Sequence, residues 1–152
     1  MSKILKTSRR NFVKATTAAA TVSILPSHML FGKNTPNEQF RFAQVGCGGK
    51  GAVDMQCTLN VGGKLAAMCD VDTSRGASTI KKHKDVPLYS DYRVMLDKHD
   101  KDIDGVIVST PDHTHGCIAL EAIKRGKHVY VQKPLTRTFE ECQVLQDRKS
   151  VV

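Results

Sequence analysis

The stretch Phe40-Arg41-Phe42-Ala43-Gln44-Val45-Gly46-Cys47-Gly48-Gly49-Lys50-Gly51 decides the fold. Its first six residues read as a strand, and the glycines after them run straight into a helical pattern from Lys50 to Leu59. Gly46, Gly48 and Gly51 carry the spacing G-x-G-x-x-G, a weak signal that gains meaning from its strand-to-helix context. The first glycine permits a tight turn, the second lets backbone approach a pyrophosphate, and the third lets helix pack on strand. Gly49 belongs to the same phosphate-binding loop, and the helix start supplies N–H groups to the anion.

Working outward, Lys64 to Cys69 reads as a second strand, and Asp70 stands at its end, 24 residues after Gly46. A carboxylate there accepts from both hydroxyls of an adenosine ribose and repels a 2′-phosphate, so NAD is expected over NADP. Arg75 softens that preference, because a rearranged loop could offer its guanidinium to a phosphate; otherwise it is a solvated residue in the first turn of a helix.

Apolar runs and helical patterns alternate along the rest of the chain, which implies a parallel sheet. Helices are expected over Thr73 to His83, Asp91 to Lys98, Thr114 to Arg125 and Phe139 to Lys149, with strands at Val86 to Tyr89, Gly105 to Ser109 and His128 to Gln132. Gly105 to Ser109 is apolar throughout and predicts the central strand, covered on both faces. The helix after it places Cys117, Leu120 and Ile123 on one face, has Lys124 and Arg125 in its last turn and stops at Gly126. The fold class is therefore α/β, a doubly wound parallel sheet of the Rossmann type, incomplete at its C-terminal edge because no sixth strand follows. Asp147 to Val152 offers no helical pattern that would establish it as native frame.

Thr110-Pro111-Asp112-His113-Thr114-His115 follows the Gly105 to Ser109 strand and so falls at the carboxyl edge of the sheet, where such folds bind ligands. His113-x-His115 lacks Cys or carboxylate partners at metal spacing, so capping and loop packing account for it and no metal is assigned. Lys133, held by Pro134 after the fifth strand, is the candidate catalytic group: a lysine at the nicotinamide end can orient a hydroxyl or pass a proton. Gln132 beside it is suited to hydrogen bonding a ribose or a carboxamide.

The formal net charge is +8 over 152 residues. Lys3, Lys6, Arg9, Arg10, Lys14 and Lys33 lie in residues 1–36 with no acid, leaving only +2 for the remainder. Past the leader there is no basic block or aromatic-interleaved stripe, which argues against nucleic acid as a partner. Ser8-Arg9-Arg10-Asn11-Phe12-Val13-Lys14 reads as a twin-arginine export signal, and the uncharged Ala15 to Gly32 is too polar for a confident membrane span. Ala18-Ala19-Ala20 is a candidate cleavage site, with retention as an anchor the alternative. Asn34 to Glu38 reads as a linker, so residues 1–36 are leader and linker and 37–152 one domain. The odd set Cys47, Cys57, Cys69, Cys117 and Cys142 contains no C-x-x-C pair, hence neither a zinc site nor a disulfide framework. Cys69 and Cys117 are expected as buried free thiols.

Asp104-Gly105-Val106-Ile107-Val108-Ser109-Thr110-Pro111-Asp112-His113-Thr114-His115, Gly126-Lys127-His128-Val129 and Lys133-Pro134-Leu135-Thr136 together resemble the cofactor domain of the Gfo/Idh/MocA oxidoreductases, which include glucose-fructose oxidoreductase and inositol dehydrogenase. The resemblance spans about Phe40 to Leu145. It implies cofactor contacts at Thr110, Pro111 and His115 and a place beside nicotinamide and substrate for Lys133. Gln132 departs from the family's usual glutamate, which removes a charge next to Lys133. The family's second domain, which supplies the substrate pocket and the oligomer interface, is absent from this chain, so the fragment is expected to bind cofactor and turn over little.

These observations lead to the nucleotide-binding domain of an exported, periplasmic or envelope NAD(P)-dependent oxidoreductase acting on a sugar or polyol. It would cross folded, with its nucleotide bound, through the twin-arginine machinery. A redox-assisted glycoside hydrolase of the same family and a non-catalytic nucleotide-binding protein are the alternatives.

Overall fold

The computed structural model describes residues 39–149. The leader, the Asn34–Glu38 linker and Ser150–Val152 lie outside the described residues. In chain order the elements are β1 (Arg41–Val45), α1 (Lys50–Asn60), β2 (Lys64–Cys69), α2 (Ala77–Lys82), β3 (Leu88–Tyr89), α3 (Tyr92–His99), β4 (Gly105–Val108), α4 (His115–Lys124), β5 (His128–Val131) and α5 (Phe139–Lys149). The strands form one sheet in the order β3-β2-β1-β4-β5, and every pairing is parallel. The chain winds outward from β1 in one direction, then returns to start again at β4. That reversal opens a crevice at the carboxyl ends of β1 and β4.

The middle strand is thus β1, not the Gly105 to Ser109 segment expected from its apolar run. Both are interior, and burial on both faces is what their sequences record: β4 is wholly buried, as is β1 after Arg41. Alternation then sorts the core. Ala43, Val45, Val106 and Val108 point to the side covered by Met95 and Leu96 of α3 and Ile118 and Ala122 of α4. Phe42, Met68 and Ile107 point to the other, where Met55 of α1 is buried. Burial of a side chain the size of Met55 contributes about 1.5–3 kcal/mol.

Two helices differ from expectation. Thr73 to Gly76 is a turn, so α2 begins only at Ala77. The Asp72 carboxylate accepts from the amides of Ser74 and Arg75 and from Ser74 Oγ, bonds that hold its pKa below the ordinary carboxylate range and favour a turn over a helix. In α4 the buried residues are His115, Gly116, Ile118, Ala119 and Ala122, while Cys117 is exposed and Leu120 and Ile123 lie at the flank. The alanines let the helix approach the sheet closely, so side-chain size selects the inner face where apolarity alone pointed to another. Gly126, at φ +70°, ends α4 as expected, and its N–H donates to Ile123 O at 2.9 Å.

Candidate cofactor site

Gly46 leaves β1 at φ +87°, and a Cβ there would lie 2.5 Å from Ser109 O, so a turn and a close approach both demand glycine. A Cβ on Gly51 would fall 2.0 Å from Gly46 O, which fixes its role as the packing contact of helix on strand. Gly48 meets the backbone of Arg75, 2.9 Å from where its Cβ would be, while a Cβ on Gly49 would touch no protein atom. The α1 start has no side-chain cap and no acid in its first turn. Apart from the Gly51 N–H, which donates to Gly48 O at 3.0 Å, its backbone N–H groups and open approach fit a diphosphate.

Gly46, Gly48 and Gly49 line a cleft of about 630 Å³ with Asp70, Thr110 and Pro111. Asp70 is tethered to the loop: Oδ2 accepts from Cys47 N at 2.7 Å, and Oδ1 from Asp72 N at 2.9 Å. The residue before it, Cys69, also lines the cleft, and its carbonyl accepts from Gly46 N at 2.8 Å. Burial, with the Asp70 carboxylate next, pushes the Cys47 thiol up to about 12; burial likewise pushes Cys69 up to about 12. Arg75 and His113 line the same cleft. Cys117, expected buried, is exposed, because α4 turns that position outward.

His115 does not reach the cleft. It is fully buried behind the loop, with Nε2 2.8 Å from Thr110 O and Nδ1 2.6 Å from Pro134 O. Carbonyl oxygens only accept, so a neutral ring donates to one of them and a doubly protonated ring to both. A ring protonated on both nitrogens straps the Thr110-Pro111 loop to the Lys133-Pro134 turn, whereas a neutral ring bonds one of the two carbonyls and packs against the other. Among the described residues no group of three His, Cys, Asp or Glu side chains could hold a metal.

Lys133 is exposed at the end of β5, and neither it nor Gln132 lines the cleft of the glycine loop. Gln132 Nε2 instead donates to Asp54 Oδ2 at 2.8 Å. Asp54 escaped the sequence reading. It is only 8 % exposed, accepts from Ser109 Oγ at 2.8 Å and pairs with Lys50 Nζ at 3.0 Å, a bond that raises the lysine's pKa. The signal was present: Gly51, Asp54 and Met55 share the buried side of α1, and an acid on such a stripe requires donors from elsewhere.

A profile of the oxidoreductase family GFO_IDH_MocA, NAD-binding Rossmann fold, matches residues 40–150. The chain belongs to the Gfo/Idh/MocA family. Inositol 2-dehydrogenase 2 of Saccharopolyspora erythraea is 34 % identical over 100 residues, covering 64 % of this chain and 29 % of that protein. A glycosyl hydrolase family 109 protein of Shewanella putrefaciens is 36 % identical over 115 residues, covering 70 % and 24 %. Among solved structures, an inositol dehydrogenase homolog from Azotobacter vinelandii complexed with NADH and myo-inositol superposes with TM-score 0.63 at 28 % identity, over 74 % of this chain and 32 % of that one. This Gfo/Idh/MocA chain thus spans less than a third of the length of the curated relatives named. What it holds is the family's NAD-binding domain, and the glycine loop, uncapped helix start and Asp70 carboxylate fit that cofactor.

Proposed function

We propose that the chain is the nucleotide-binding part of an exported NAD-dependent oxidoreductase that acts on a sugar or polyol. The observation that carries the cofactor half is Asp70, a carboxylate tied to the glycine loop and lining the cleft. Backbone N–H groups of Gly48, Gly49 and the α1 start would hold the diphosphate, and Asp70 the adenosine ribose. Thr110 and Pro111 would wall the nicotinamide half, and Lys133 would orient a substrate hydroxyl and, as the neutral amine that burial against substrate would favour, take its proton. Bound NAD supplies the hydride acceptor. Substrate recognition and the oligomer interface are assigned to a second domain of the kind the family uses, and homo-oligomers are expected only with it.

Calorimetric titration of NADH and NADPH tests the cofactor assignment. NADH should bind more tightly than NADPH, and Asp70→Ala should narrow the gap; absence of NADH binding by a folded sample would overturn it. Export rests on Ser8-Arg9-Arg10-Asn11-Phe12-Val13-Lys14. Residues 1–36 fused to a reporter that must fold before export should deliver it outside the cytoplasm, and Arg9→Lys with Arg10→Lys should abolish delivery.

A second reading is favoured by the 36 % identity to a glycosyl hydrolase family 109 protein. Such an enzyme would oxidise its sugar transiently and re-reduce it, ending redox-neutral. Cleavage of nitrophenyl glycosides by the whole protein without net NADH would select it over the dehydrogenase.

A further inference from the structure

Among the described residues Asp54 is the one buried acid, and it joins three parts of the site. Through Lys50 it reaches the start of α1; through Ser109, the end of β4; and through Gln132, the end of β5 beside Lys133. Lys50 and Ser109 both line the cleft. An ionised carboxylate accepts only, and all three partners present donors to it, so the donor at 132 is a requirement of Asp54. A glutamate at 132 would bring a second carboxylate against the first, in a site where burial amplifies the repulsion.

We infer that Asp54 is a positioning residue for the Lys133 side of the site, and that glutamine at 132 is its matched partner. The carboxylate sets the spacing between the phosphate-binding helix and the turn that carries Lys133. Residue 132 serves this purpose as a hydrogen-bond donor and contacts no cofactor through its amide N–H. The inference rests on the NAD reading for its affinity readout.

The pair can be inverted. In Asp54→Asn the amide would present N–H where Oδ2 now accepts, facing the Gln132 NH₂; in Gln132→Glu two carboxylates would meet. Combining them restores one donor and one acceptor with polarity reversed. Ser109 can turn its hydroxyl to accept, and Lys50 keeps an oxygen partner. The test is a double-mutant cycle on the full chain, read by NADH fluorescence titration and by thermal unfolding without nucleotide. Each single variant should weaken NADH by about tenfold, the cost of leaving buried polar groups mispaired. The double variant should return to within about threefold of the parent.

Additive losses, with the double variant weaker than either single, would overturn the pairing. If a single variant fails to fold, recovery of the cooperative transition in the double supports the pairing, and a double that also fails to fold overturns it. Coupling in the unfolding midpoints with equal NADH affinity in all four proteins would reduce Asp54 to a structural role and overturn positioning. A parent chain that folds yet binds no NADH defeats the cofactor reading itself, and positioning falls with it, an outcome distinct from additivity in a chain that binds.

Discussion

At the β1–β2 end of the cleft the backbone does the shaping, whereas at the β4–β5 end side chains do. The first end is built from Gly46, Gly48 and Gly51, each pressed against main-chain atoms, with Cβ approaches of 2.0–2.9 Å that only glycine avoids. The second is assembled by Asp54 and His115, which tie segments far apart in the chain. A backbone-built site tolerates no side chain where glycine stands but survives changes around it. A side-chain-built site depends on the identity of every partner.

The comparison breaks most severely at Gly51→Ala. Its new Cβ would lie 2.0 Å from Gly46 O and 2.9 Å from Gly46 C, backbone atoms that cannot swing aside as a side chain would. Unfolding in urea should register a loss of about 3 kcal/mol, at the upper end of what overpacking costs, together with loss of NADH binding. Gly49→Ala sharpens the contrast, since a Cβ there meets no protein atom. At φ +51° and ψ −116°, angles that favour glycine strongly, it should cost about 1–3 kcal/mol in the same assay, with a disproportionate loss of NADH affinity from intrusion on the phosphate path.

Asp70→Ala should weaken NADH by about 10- to 100-fold while NADPH changes less, as calorimetry would read; a charge-assisted bond and the Cys47 tether are both lost. At the other end, His115→Phe keeps bulk but leaves the carbonyls of Thr110 and Pro134 without a ring donor. About 1–3 kcal/mol of stability should disappear in thermal unfolding, and equality with the parent would remove the strap from the account. The smallest effect concerns the thiols. With pKa values pushed up to about 12, Cys47 and Cys69 remain protonated at pH 8, so peptide mass spectrometry after brief iodoacetamide treatment should find exposed Cys57 and Cys117 alkylated and those two spared.

Where the chain's own neighbours decide conformation, the sequence was legible. The bounds of β2 match expectation and α1 extends one residue beyond it, because strand alternation, glycine spacing and helix stops are local signals; α5 runs Phe139–Lys149 as expected, its last turn holding Asp147 to Lys149 although those residues show no helical pattern of their own. The α2 start was missed because a single Asx turn at Asp72 outcompeted four residues of helical pattern, Thr73 to Gly76. The buried face of α4 was missed because two faces were apolar and only packing against the sheet chose between them. Gln132 was expected to meet a ribose or carboxamide; the structure instead engages its amide with an acid on α1.

By itself, then, the sequence determined a parallel α/β domain, a glycine loop at the end of its first strand and a carboxylate at the end of its second. Those features follow from residues close together, whose spacing constrains φ, ψ and strand alternation directly. Only the tertiary structure decided that β1 is the middle strand, that His115 lies behind the cleft, and that Asp54 joins Ser109 and Gln132 across separations of 55 and 78 residues. Such contacts form when helices dock on the sheet and buried polar groups must find partners, a requirement that periodicity along the chain does not encode.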